Sequence, residues 1–383
     1  MSVISIRATT VGVPLAHPTK IATRILDQRQ YLLVEITSDD GHRGVGYTYV
    51  GTAGGRTATA CLEELLGPVY LGQEEDIEGL WKRAYQETLL TGRRGLVLRV
   101  LSALDIALWD LRAVRANVPL AVLLGGSVNA PLPAYASGGY YSPTDDPVAA
   151  VAAEIRANRA QGFTDHKIKV GGLSVAQDAE RVRAAIGEIA GSGRLALDAN
   201  NAYQSVPEAR RACEVFEAAA GDAGLWWFEE PLSPEAAAGH SALGAQLRTP
   251  IATGEIQQTR WEFRPLLEAG GIGYLQVDAG VAGGVTEWRR IAAAAAAFDV
   301  PVAPHWHHNL HAHLGAATPN NAVIEHFAIE KSIYNFEELL TEGSRTRFGD
   351  GQVHLSDAAG LGIEFDTEVV AKYQLATTTL RSS

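Results

Sequence analysis

Cysteine is nearly absent. Cys61 and Cys213 are the two in 383 residues, too far apart in the chain to imply a disulfide framework. No run of about 18 apolar residues occurs, which excludes a membrane-spanning helix. The amino end, M-S-V-I-S-I-R, lacks a basic segment followed by a long apolar run, so no secretory leader is expected and a cytoplasmic location is the default. Positive charge is also short. Lys and Arg number 32 against 44 Asp and Glu, a formal net charge of −12. That balance argues against nucleic acid or an anionic membrane as a partner. It also means that an acidic small molecule needs a local cationic site.

What is present is a soluble globular composition, 46% hydrophobic and 20% charged, long enough for one or two domains with a large core. Residues 2–14 read as a strand. Residues 30–38 and 43–50 read as two more, joined by the hairpin signal D-D-G-H. Helical stretches are expected near 56–71, 76–91 and 95–116, the last apolar at helical spacing and therefore buried. Strands followed by helices read as an α+β unit. It closes near L-L-G-G at 123–126.

From there strands and helices alternate. Strands are expected near 132–137, 165–170, 194–198, 225–229, 250–255, 273–278, 301–305 and 322–326. Helical runs at 147–161, 175–189 and 206–220 lie between them, and the Ala-rich run 291–298 suits a closely packed outer helix. Eight strands in about 200 residues suit a closed α/β barrel. The rival is a doubly wound open sheet, which would gather ligands at one switch point. The tail from about 330 is turn-rich and lacks a clean final helix, so it is expected to fold back on the N-terminal unit. The division is a cap over 1–126, a barrel over 127–330, and a tail of about 331–383 returning to the cap.

Three strands end on carboxylates: L-A-L-D-A-N at Asp198, W-W-F-E-E-P at Glu229 and P-I-A-T-G-E at Glu255. The intervals of 31 and 26 residues each fit a strand and its returning helix. One such acid ordinarily caps the next helix. Three in series point into one mouth, where bare carboxylates repel, and a hard divalent cation such as Mg²⁺ relieves the repulsion. H-K-I-K-V places Lys167 and Lys169 on one face of their strand. Asn200 follows Asp198 and is placed to orient a ligand. Glu230 points opposite to Glu229 and reads as structural. L-Q-V-D ends at Asp278 and V-A-P-H at His305. Adjacent strands bring the two together, and a carboxylate on a histidine fixes its tautomer and raises its basicity. V-I-E-H-F carries Glu325. His305, His307, His308, His311 and His313 form a cluster, but they do not share a helical face, which disfavours zinc.

K-I-K, D-A-N, F-E-E-P, A-T-G-E, V-D before G-V-A-G-G-V-T, A-P-H and I-E-H, together with the cap motifs A-L-D-I-A-L-W-D-L and P-L-A-V-L-L-G-G, resemble the mandelate racemase branch of the enolase superfamily. The match runs in order along nearly the whole chain. The resemblance implies an α+β cap over a (β/α)7β barrel. It implies Mg²⁺ on Asp198, Glu229 and Glu255, and Lys169 as the base on one substrate face with Lys167 beside it. His305, supported by Asp278, is implied on the other face, and Glu325 on the substrate carboxylate. Dipeptide epimerases and muconate lactonizing enzymes carry a lysine on the sixth strand; Asp278 stands there and argues against those branches.

Such a site removes a proton α to a carboxylate, a step that needs a cation on the resulting enediolate. Two N-terminal loops, about 15–30 and 47–57, are expected to close the mouth with His17, Lys20, Arg24, Tyr47, Tyr49 and Arg56. These side chains suit a polyhydroxylated acid. The expected activity is dehydration of an aldonate or aldarate. Racemisation, epimerisation or lactone cycloisomerisation is the rival, and a non-catalytic acid-sugar binding protein is disfavoured by the complete base–metal–acid set. A homo-oligomer is expected, as is usual in the resembled family.

Overall fold

The computed structural model describes residues 1–142, 146–328 and 333–382, so the expected boundary at 330–331 lies outside them. Strands β1 (Val3–Lys20), β2 (Ile25–Ser38) and β3 (Arg43–Gly51) form an antiparallel meander. The D-D-G-H hairpin falls between β2 and β3, with Gly41 at φ 85° where the turn needs a left-handed residue.

One face of this sheet receives the helix Leu96–Arg115. A Cβ on Gly46 would lie 2.1 Å from the Ala103 carbonyl oxygen, and one on Gly44 2.3 Å from that of Ala107. Glycine is what lets strand and helix touch backbone to backbone. The other face of the helix grips the barrel. Asp105 accepts from the Thr286 amide (2.9 Å) and hydroxyl (2.6 Å), and Trp109 Nε1 donates to the Thr286 hydroxyl at 2.9 Å. The Gly283 amide donates to Ser102 Oγ at 3.0 Å.

The barrel begins at β4 (Leu132–Gly138) and continues through β5 (His166–Lys169), β6 (Leu195–Asp198), β7 (Phe228–Glu229), β8 (Ile251–Thr253) and β9 (Ile272–Leu275), each parallel to the last. The seventh position is weaker than the expected strand over 301–305. Val302 alone makes parallel bridges, to Leu275 on one side and Asn321 on the other. β10 (Ile324–His326) then pairs in parallel with β4 and closes the ring. Helices return the chain after each of the first seven positions. Their starts follow local rules: Asp146 caps the helix opening at Pro147, and Ser174 with Gln177 forms a reciprocal capping box.

After β10 the chain makes an antiparallel pair, β11 (Arg347–Gly349) and β12 (Gln352–His354), then a short helix Thr367–Tyr373. The final strand β13 (Gln374–Arg381) joins the cap sheet beside β1, pairing Arg381 with Ser5. No helix among the described residues is long and apolar enough to cross a membrane.

Two expected loops are strands. Residues 15–30 form the far end of the β1–β2 ladder, with a register break between Pro14 and Thr19. Residues 47–51 belong to β3.

Candidate active site

The carboxyl ends of the barrel strands converge as their sequence implies. Ligand oxygens of Asp198, Glu229 and Glu255 all lie within 4.8 Å of one another. Asp198 and Glu229 are fully buried at the ends of β6 and β7. Glu255 follows Gly254, whose φ of 124° lets the chain turn inward past β8. Glu255 Oε2 is buried with no hydrogen-bond partner among the described residues. Such an atom is costly unless something else meets it. Three convergent carboxylates, one with an orphaned oxygen, fit a divalent cation held by oxygen donors.

The lysines answer the same charges. Lys167 Nζ donates to Glu229 Oε1 at 2.6 Å and lies 2.7 Å from Glu325 Oε1. Lys169 Nζ pairs with Asp198 Oδ2. Burial opposes the charge on both lysines, but Glu229 and Glu325 beside Lys167, and Asp198 beside Lys169, outweigh it and raise both pKa values. Burial drives Glu229 well above the usual carboxylate range, and Asp198 adds to the rise. Asp198 goes the other way, because the two lysines outweigh its burial. Asn200 holds Asp198 through its amide (2.9 Å) and Nδ2 (3.3 Å), and its own Oδ1 is buried without a partner.

Across the mouth, His305 Nδ1 lies 3.0 Å from Asp278 Oδ2, leaving Nε2 3.7 Å from Glu255 Oε2. Burial resists charge on His305, yet Glu255 and the Asp278 hydrogen bond raise its pKa from 6.5 to about 9. Glu325 is pulled down to about 2: burial opposes this, but Lys167 and His305 prevail. Its Oε2 accepts from the Trp306 amide at 2.7 Å. Glu230 is structural, bonded to the Thr253 hydroxyl, the Gly254 amide and Asn201.

The other histidines of the cluster go separate ways. His307 meets the Tyr334 hydroxyl, His308 Glu337, His311 the Ala279 amide, and His313 the Ala121 amide and Leu361 carbonyl. Burial lowers His307 to about 3 and His311 and His313 to about 4, so these three are neutral core groups.

The expected substrate residues fare unevenly. Tyr47 is sealed in the core, its hydroxyl 3.3 Å from Asn309 Oδ1, because β3 turns it toward Phe336 and His307 rather than toward the mouth. Lys20 donates to the Gly172 carbonyl at 3.0 Å, and its backbone exchanges hydrogen bonds with Tyr141. It latches the hairpin tip to the barrel. His17, Arg24 and Arg56 are exposed.

Several residues near the mouth escaped the sequence reading. Trp227 Nε1 donates to Glu229 Oε2 at 2.8 Å. Trp306, at φ 70°, stacks near His305 and carries the buried Arg29 guanidinium 4.2 Å above its ring. Lys169 lies 5.0 Å from the Tyr140 ring. An indole two residues before a strand-end acid on the same face was the available signal for Trp227. For Arg29 none was, since its neighbours come from Tyr49, Trp306 and Ile333.

Residues 3–125 match the mandelate racemase/muconate lactonizing enzyme N-terminal domain, and residues 150–369 match the enolase C-terminal domain-like model. The chain belongs to this enolase-superfamily family. Within the family it is 33% identical over 359 residues to L-talarate/galactarate dehydratase of Salmonella typhimurium, covering 91% of this chain and 85% of that one. It is 31% identical to D-galactarolactone cycloisomerase of Agrobacterium fabrum, over 98% and 99% of the two chains. The solved L-talarate dehydratase from Polaromonas sp. JS666, complexed with Mg and L-glucarate, superposes with a TM-score of 0.88 at 30% identity, covering both chains fully.

Proposed function

We propose that this protein is a Mg²⁺-dependent acid-sugar dehydratase. It takes the α-proton of an aldonate or aldarate and expels the β-hydroxyl, giving a 2-keto-3-deoxy acid. The observation that carries this reading is the placement of Lys169 and the His305–Asp278 pair on either side of the three-carboxylate cluster. The metal-bearing family relatives add support.

Asp198, Glu229 and Glu255 hold the cation, which when bound stabilises the negative charge that develops on the substrate carboxylate. With Asp198 shared by a bound cation, burial and Lys167 would favour the neutral amine of Lys169, against Tyr140 and Glu229. Lys169 Nζ takes the α-proton, and the C–H electrons form the new carbon–carbon double bond. The bond to the β-oxygen breaks as His305 Nε2 supplies its proton, and water leaves. Asp278 on Nδ1 keeps that imidazole charged and oriented. The enol then becomes the keto acid. Glu325 and Glu229 hold Lys167 between them, where it faces the substrate carboxylate.

Cycloisomerisation of a sugar lactone is the second reading, favoured by the full-length likeness to the Agrobacterium enzyme. It begins with the same proton transfer and differs in the group expelled. Incubating the Mg²⁺-loaded protein with a panel of hexarates, hexonates, pentonates and their lactones distinguishes the two. Keto acid from open-chain acids is expected. Turnover of lactones alone would replace dehydration with cycloisomerisation.

A further inference from the structure

Between the start of the cap helix Leu96–Arg115 and the loop after β8 lies a cleft of about 360 Å³. Gly95, Arg99, Pro234, Gln257 and Gln258 help line it, with Ile256, which follows Glu255 in the chain. The cap side is fixed in place. Gln258 Nε2 donates to the Gly95 carbonyl at 3.1 Å and to the Val281 carbonyl at 3.0 Å, and its Oε1 accepts from the Gly95 amide.

Arg99 stands in the first turn of that helix. Among the described residues its guanidinium makes one hydrogen bond, NH1 to the Tyr49 carbonyl at 2.6 Å. No carboxylate of those residues lies within ion-pair distance of it. Burial disfavours its charge, and Asp278, Tyr49 and Glu255 only partly offset this. Its Tyr49 partner carries a ring 5.8 Å from that of Trp306, which in turn lies 5.8 Å from the His305 ring, and this chain of contacts joins Arg99 to the mouth. A guanidinium has five donors in a planar fork that matches a carboxylate. Arg94, the other cation of the cleft, is already taken by Glu235 and Glu262. Gln257 is 4% exposed. Its Nε2 donates to the Pro234 carbonyl at 2.8 Å, and its Oε1 is buried with no partner among the described residues. Among the described residues, a buried acceptor without a donor and a half-buried cation without an anion share one cleft.

We propose that Arg99 and Gln257 form the subsite for the substrate end remote from the reacting carboxylate. Arg99 takes a second carboxylate and Gln257 Oε1 accepts from a neighbouring hydroxyl, so the enzyme is built for aldarates over aldonates. This rests on the acid-sugar reading above and narrows it to diacids. Lys20, for which sequence suggested this role, gives one of its three donors to the Gly172 carbonyl.

The test compares each hexarate with the hexonate of matched configuration, using the full-length Mg²⁺-loaded enzyme. Wild type should prefer the diacid. Arg99→Gln should lower the diacid-to-monoacid ratio of kcat/KM on the order of 10–100-fold, as expected for a lost charge-assisted hydrogen bond, and Arg99→Lys should lower it less. Calorimetry in a Lys169→Ala background, which cannot turn over substrate, should show the same ratio change in Kd. Gln257→Leu should weaken both ligands together. A wild-type preference for monoacids, or a ratio unmoved by Arg99→Gln in a variant with wild-type Tm, overturns the subsite while leaving dehydration standing. Turnover of no acid sugar by wild type overturns both.

Discussion

Lys169 ends a barrel strand and Arg99 stands in the first turn of a cap helix, the first buried and the second half-buried, and the two cations reach their places by different routes. Lys169 is placed by strand register alone: β5 pairs with β6 so that Lys169 lies beside Asp198. Arg99 is placed by contacts 163 and 181 residues apart in sequence, through Gln258 to Gly95 and through Thr286 to Asp105. The barrel thus carries the chemistry on elements whose geometry is local. In the proposed subsite, recognition falls on Arg99 of the cap and Gln257 of the barrel, whose relation depends on how the two domains dock. A fold arranged this way keeps one reaction while its cap changes substrate.

The largest effect separates the two regions outright. Chelation should abolish activity and Mg²⁺ restore it, while Glu229→Gln should lose Mg²⁺ binding by calorimetry. Circular dichroism should show the cap and barrel still folded, since their joint uses no metal ligand. Full turnover in metal-free buffer would break the assignment of chemistry to the strand ends.

A second effect concerns acid. His166 and His311 are held near 4 and His326 near 3, like His307 and His313, all by burial on the barrel side. Their folded pKa values lie below the unfolded 6.5, so the unfolded chain binds more protons as pH falls. Each of these histidines should therefore cost stability from pH 6.5 toward 4, by up to about 1.4 kcal/mol per pH unit, against an opposite contribution from Asp105, Asp110 and Glu230, which burial raises to about 7. His305 has the opposite sign. Its contribution in metal-free protein is full below about 6.5 and is lost as pH rises through about 9. Denaturant titrations across pH 4 to 10 check both limbs: His326→Phe should lose stability less steeply than wild type between pH 6.5 and 4, and an unchanged slope would contradict a neutral buried His326.

The smallest effect sits at the joint. Thr286→Val removes a hydroxyl that both donates to Asp105 and accepts from Trp109. It should cost about 1–3 kcal/mol of stability and leave Mg²⁺ affinity unchanged. Loss of metal binding in that variant would mean that the cap helps build the metal site.

The same contrast explains what the sequence disclosed. Asp198, Glu229, Glu255, Asp278 and His305 each end a short apolar run, and a run that fixes its own strand fixes where its last residue points. Tyr47 was misplaced because alternation says that it faces one side of β3 but not which side meets the barrel. Residues 15–30 looked like a loop because Pro18 and the mostly polar stretch from Thr19 to Gln30 hide the strand pattern, and the ladder itself breaks between Pro14 and Thr19. The seventh strand shrank to Val302, since its neighbours Pro301 and Pro304 cannot donate to a ladder. Arg99 and Gln257 carry no local signal, because what marks them is a missing partner in three dimensions.

The central claim is that Lys169 and His305 work on opposite sides of one substrate, the first on carbon and the second on oxygen. Proton NMR of the reacting acid sugar in D₂O with Mg²⁺ tests it directly. His305→Asn should still exchange the α-proton for deuterium while forming no keto acid, and Lys169→Ala should do neither. Exchange that persists in Lys169→Ala and vanishes in His305→Asn would contradict the account.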